Sequence, residues 1–138
     1  MRITKKYLDD LTFEIIGSAI EVHKIMGCAL KEKSYQKCMA REFDIRGIKY
    51  YSEKHIELNY KGMVLGEPQR CDFLVTNQIV VELKTVKQLI DIHEAQLLSY
   101  MSLLKKPKGI LINFHIRNIA YEGQKTYVNE YFRDLPDF

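Results

Sequence analysis

The 138-residue chain has no tryptophan, three prolines, three cysteines and seven glycines. Each scarcity removes a class of protein. Cys28, Cys38 and Cys71 are odd in number and form no Cys-x-x-Cys pair, so neither a disulfide scaffold nor a zinc ribbon fits, and reduced thiols in a cytoplasm are expected. No apolar run approaches the ~18–20 residues of a membrane span, and the basic residues Arg2, Lys5 and Lys6 are followed by no apolar export segment. A cytoplasmic protein without a membrane partner is expected. Nucleotide-binding and esterase motifs are absent too: there is no Gly-x-x-x-x-Gly-Lys, no dinucleotide fingerprint and no Gly-x-Ser-x-Gly elbow.

What remains is ordinary globular material, 46% apolar and 28% charged, of a length that suits a single domain over residues 1–138. Lysine and arginine number 21 against 18 acidic residues, and the net charge of +3 permits a polyanionic partner without demanding one. Spacing of three and four residues predicts a helix from Leu8 to Met26, capped by Thr12, with Ile16, Ala19, Ile20 and His23 on its apolar side. A second helix is predicted from about Leu30 to Arg46, burying Tyr35, Cys38, Met39 and Phe43 and ending at Gly47. Strands follow at Ile48–Tyr60, Met63–Leu65 after a Lys61-Gly62 turn, Arg70–Val75 after Pro68, and the apolar run Ile79–Lys84. Leu89–Lys105 returns to helical spacing, with Ile90, Leu97, Met101 and Leu104 as one face, and Pro107 stops it. A buried strand at Gly109–Phe114 and an edge strand at Lys125–Tyr131 complete the order ααβββαβ(β), an α/β fold with a mixed sheet flanked by helices.

Charge inside the apolar strand is the informative feature. Glu82 and Lys84 occupy alternate positions of Ile79–Lys84 and emerge on one side, where Asp72 from the neighbouring strand can join them. Charges there cost several kcal/mol unless partnered. Two readings stay open on the residues alone: a structural ion pair, or a site in which carboxylates hold Mg²⁺ or Mn²⁺ while lysine faces a phosphodiester. His93, Gln96 and Tyr100 share a polar stripe on the third helix. On the first helix His23 reads most simply as a core histidine and on the second Glu32 as a surface charge. Lys105, Lys106 and Lys108 form a small basic cluster.

Taken together, Ile20-Glu21-Val22-His23, the segment Gly27–Tyr35, Arg70–Val75, Val80–Lys84, His93–Tyr100 and Leu111–Phe114 resemble the GxxExxY protein family. That family is a branch of the PD-(D/E)xK nuclease-like superfamily with a restriction-endonuclease-like core, and the likeness spans about Leu11 to Asn129. It implies that Asp72, Glu82 and Lys84 are the catalytic Asp, Glu and Lys, with Glu32 an acidic residue supplied by the preceding helix. Asp72, Glu82, Glu32 and His23 would be the metal set for Mg²⁺ or Mn²⁺, and Gln96 and Tyr100, with Tyr35, would engage nucleic acid. One departure is Ala29, where the family's motif has glycine; alanine favours helix, which leaves the boundary of the second helix open.

The resemblance implies a metal-dependent deoxyribonuclease, and because one such core uses nearly all 138 residues, target choice is expected to come from a homodimer, a protein partner or DNA shape. The alternative is a non-catalytic nucleic-acid-binding or assembly module that keeps the fold. Grouping Glu32, Asp72 and Glu82 at one site would leave the remaining surface more basic than +3 indicates.

Overall fold

In the computed structural model, which describes residues 2–66 and 69–138, five strands form one mixed sheet, with β1 (Tyr50–Ile56), β4 (Gln69–Val75), β5 (Ile79–Lys84), β6 (Lys108–Asn113) and β7 (Gln124–Val128) side by side in that order. The expected break at Pro68 lies outside the described residues. Strand β5 (Ile79–Lys84) takes the central place that its unbroken apolar run predicts. It pairs antiparallel with β4 (Gln69–Val75) and parallel with β6 (Lys108–Asn113), which carries β7 (Gln124–Val128) on its outer edge. On the opposite edge, β1 (Tyr50–Ile56) pairs antiparallel with β4.

The long strand expected over Ile48–Tyr60 is in fact two. After β1 the chain leaves the sheet, and β2 (Asn59–Tyr60) pairs only with β3 (Met63–Val64) across Lys61 and Gly62. Both turn residues have positive φ, 50° and 89°. That backbone twist matches the strands' own and closes a separate hairpin. At the far end, β7 stops at Val128, short of the expected Tyr131, because Asn129 accepts from the Tyr131 N–H and caps the short helix α4 (Glu130–Arg133).

Helix α1 (Lys5–Met26) begins earlier than its spacing predicts. Thr4 is its cap, accepting from the Tyr7 N–H at 3.0 Å, whereas Thr12 lies inside the helix and donates to the Leu8 carbonyl at 2.7 Å. The buried stripe is Leu8, Leu11, Ile15, Ala19 and Val22, one residue out of phase with the expected one, and Ile20 is exposed. Apolar residues on both sides of that stripe fix the helical period but not its phase. Helix α2 (Glu32–Arg46) buries Tyr35, Met39 and Phe43 as expected, with Gln36 in place of Cys38. It ends at Gly47 in the left-handed conformation. The turn between these helices is taken at Gly27, φ 80°, so Ala29 needs no positive φ.

Helix α3 (Asp91–Leu104) covers the opposite face of the sheet through Leu97, Tyr100 and Met101. Ile90, expected on that face, is the exposed residue that precedes the helix. Between α1, α2 and the sheet lies the larger core, where Phe43, Tyr50 and Phe73 meet with centroids 5.3–5.5 Å apart. None of the described helices is long and apolar enough to cross a membrane.

Candidate active site

The β4–β5 ladder pairs Val75 with Ile79, Leu74 with Val80 and Phe73 with Val81, and stops there. β5 continues beside β6 as far as Lys84 opposite Asn113, so β4 parts from its neighbour while β5 runs on. Two carboxylates fill the gap. The Asp72 N–H donates to Glu82 Oε2 at 2.7 Å, and the Leu83 N–H donates to Asp72 Oδ2 at 2.7 Å. Each side chain substitutes for an absent strand acceptor, which satisfies the backbone where the ladder is interrupted.

Simple alternation does not place Asp72. Phe73 and Val75 face the α1–α2 core and Leu74 faces α3, yet Cys71 also belongs to the α3 side. Opposite Asp72, Glu53 of β1 has a φ of 52° and interrupts the register between Ser52·Phe73 and Lys54·Cys71. The break in alternation falls at Asp72, whose carboxylate lies against the Leu83 N–H of β5. For β5 the alternation holds: Glu82, 4% exposed, shares the α3 side with Val80. Lys84 does too, and its Nζ donates to Gln96 Oε1 of α3 at 3.0 Å.

Buried like charge dominates the electrostatics. Burial, then the Asp72 carboxylate, push Glu82 up to about 8, against a partial pull downward from Lys84. Asp72 is raised chiefly by burial, while the Leu83 N–H, the Glu82 side chain and Lys84 draw it back. The pair holds a proton at neutral pH that isolated carboxylates would release. Glu32, the first residue of α2, is raised by burial and by Asp72 and lowered by Lys84, so it faces the same gap from the other side of the sheet. Tyr100 closes the α3 side: its hydroxyl donates to Gln69 Oε1 at 3.3 Å, and burial followed by Glu82 raises its phenol. Cys71 beside them is fully buried and raised to about 12, first by burial, which makes it an inert core thiol.

The structure thus brings Asp72, Glu82, Lys84, Gln96 and Tyr100 together, with Glu32 within electrostatic reach. It does not bring in His23 or Tyr35. His23 Nε2 lies 2.6 Å from the Ile116 carbonyl oxygen. Tyr35 is fully buried, stacked on Phe114 at 4.3 Å and 9°, with its hydroxyl donating to the Gly27 carbonyl at 2.6 Å and accepting from the Leu30 N–H at 3.2 Å. In this conformation it braces the turn before Glu32 and presents no surface to nucleic acid. Among the described residues no three His, Cys, Asp or Glu side chains stand close enough to hold a metal ion, so the expected set of Asp72, Glu82, Glu32 and His23 is not assembled.

Three contributors escape the sequence. Glu53 lies among other polar residues and only its positive φ marks it. Gln69 is distinguished by nothing in its context. Asn113 has a readable signal, a polar residue ending an apolar strand. It is 1% exposed and bonds Val86 through both amide atoms, at 3.1 and 2.8 Å, which fixes the chain just beyond Lys84.

A sequence model of the PD-(D/E)XK nuclease superfamily matches residues 9–126. The chain belongs to that superfamily. A PD-(D/E)XK protein is expected to have a restriction-endonuclease-like fold, and the mixed five-stranded sheet between helices agrees. A comparison with curated proteins gave no match. Among solved structures, the crystal structure of SSO0001 aligns with 89% of this PD-(D/E)XK chain and 82% of its own at 18% identity, with a TM-score of 0.42.

Proposed function

We propose that the protein is a divalent-metal-dependent nuclease that hydrolyses phosphodiester bonds of DNA, with Asp72, Glu82 and Lys84 at its centre. The observation that carries this is the gap between β4 and β5, where two buried carboxylates meet and a lysine is held 3.0 Å from a glutamine on the facing helix. Two buried carboxylates that crowd like charge into one gap make a ready site for a hard cation. Mg²⁺ in particular takes one or two protein carboxylates and fills its remaining positions with water and substrate phosphate oxygens, which suits a site without a third close ligand. When bound, Mg²⁺ or Mn²⁺ would acidify water and neutralise charge on the phosphate.

Asp72 and Glu82 hold the cation in this reading. Lys84, oriented by Gln96, offers its ammonium to the attacking water or the phosphate, and Glu32 adds negative charge at the mouth. Gln96 meets the strand, and Tyr100, expected beside it as a contact, instead braces the site from the buried side of α3 through its bond to Gln69. With Mn²⁺ present, single-stranded, duplex or branched DNA should be cut by the parent and spared by Lys84→Ala. Intact DNA in every case, or equal cutting by the variant, refutes the proposal.

A second reading, a nucleic-acid-binding module without turnover, is favoured by one feature. The carboxylates already satisfy each other's strand amides in a closed pair. Calorimetric titration with Mn²⁺ separates the two: binding lost in Asp72→Ala supports the nuclease, and no binding by the parent supports the module.

A further inference from the structure

Beside Lys84 and Gln96 a cleft of about 350 Å³ opens along α3, bounded also by Ile92, His93, Ala95 and Ser99. Neither Asp72 nor Glu82 lines it, and His93 stands at its edge. The ring of His93 is fixed at one end. Ile90 N–H donates to His93 Nδ1 at 3.1 Å, and the His93 N–H returns a bond to the Ile90 carbonyl at 3.0 Å. A backbone N–H only donates, so Nδ1 is the acceptor and the proton of the neutral ring sits on Nε2. That leaves the Nε2–H edge for the cleft.

We propose that this cleft receives one nucleotide unit next to the phosphate that is cut, with His93 Nε2–H donating to a phosphate oxygen. The inference rests on the nuclease reading and adds to it a substrate pocket and a contact residue. Its lining offers both hydrogen-bond donors and apolar surface. Lys84 Nζ, the Gln96 amide, the Ser99 hydroxyl and His93 Nε2–H supply polar contacts of the kind that phosphate and sugar take. Ile92, which is exposed, and Ala95 supply an apolar wall against which a base or sugar packs. The volume suits a single nucleotide and not a folded partner. The helix start alone would be a weak anion site; here a cavity, the oriented lysine and a histidine of defined tautomer coincide.

Asparagine and glutamine separate the two ends of the ring, because Asn places an acceptor near Nδ1 and Gln a donor near Nε2. The probe is thymidine 5′-monophosphate with Mg²⁺, followed by ¹⁵N NMR of the histidine side chains and by calorimetry. In the parent the His93 Nε2 resonance should move saturably. His93→Asn should keep the parent melting temperature and bind about tenfold more weakly, the loss of one charge-assisted hydrogen bond, while His93→Gln should stay within about threefold of the parent. An unmoved Nε2 resonance, or parent-like affinity in His93→Asn, overturns the inference. The resonance needs no variant, so the proposal is testable even if a substitution fails to fold. Cleavage by a parent whose His93 ignores the nucleotide sinks the cleft alone; nucleotide binding through His93 without any cleavage sinks the nuclease reading alone.

Discussion

Glu82 carries the sharpest consequence at the scale of a single residue. Its carboxyl is raised to about 8 in the folded protein against an ordinary value of 4.5. A raised acid favours the fold when protonated, so its contribution is fully present below pH 4.5 and is lost as pH climbs through 8. The metal-free parent should therefore melt lower at pH 8.5 than at pH 5.5. Glu82→Gln, which keeps an oxygen acceptor for the Asp72 N–H, should flatten that slope and raise the melting temperature at pH 8.5. A variant whose thermal melts follow the parent's pH dependence would place the destabilising charge elsewhere. The placement of Glu82 and Lys84 on one side of β5 was legible because alternate positions of a strand share a face, although Lys84 takes Gln96 and not Glu82 as its hydrogen-bond partner. The direction of Asp72 was not, since alternation breaks there opposite Glu53, and a positive φ at a glutamate leaves no mark in sequence.

At the scale of elements, the α1–α2 turn and the α3–β6 contact are the joints that set the site. Tyr35 holds the first: its stacking on Phe114 and its two hydrogen bonds tie Gly27 and Leu30 one turn ahead of Glu32. Tyr35→Phe keeps the ring and removes only the hydroxyl, so it should cost about 1 kcal/mol in denaturant unfolding. It should also weaken Mn²⁺ binding where Glu32→Gln does, which a purely stabilising role would not. The second joint needs a glycine. A Cβ on Gly109 would come within 2.6 Å of Met101 Sδ and 3.0 Å of Leu97. Gly109→Ala should lose about 1–3 kcal/mol, read from the urea midpoint, as α3 is pushed off β6. Element existence was legible wherever the apolar pattern was clear, as one face of α2 and as the unbroken run of β5. Phase and boundaries were not. Thr4 and Thr12 are equally good caps by residue type, and only the buried stripe of α1 chooses between them.

At the scale of the whole molecule, charge and fold are coupled through the proton the carboxylate pair retains. A cation bound there must displace that proton, because carboxylates ligate in their charged form. Mn²⁺ should therefore bind more tightly at pH 8.5 than at pH 6, and near pH 7 its calorimetric enthalpy should change with the ionisation enthalpy of the buffer, reporting proton release. Stability follows the same linkage. At a free concentration about 100 times the dissociation constant, Mn²⁺ adds about 2.7 kcal/mol to the folded state. For a chain of this size that is roughly 8–10 °C in melting temperature. The increment should shrink toward acid pH as the metal competes with the proton, and it should vanish in Asp72→Ala. A metal-induced shift that is the same at pH 5.5 and pH 8.5 would mean that the ion sits on surface carboxylates with ordinary acidity. The gap between β4 and β5 would then be a closed structural pair.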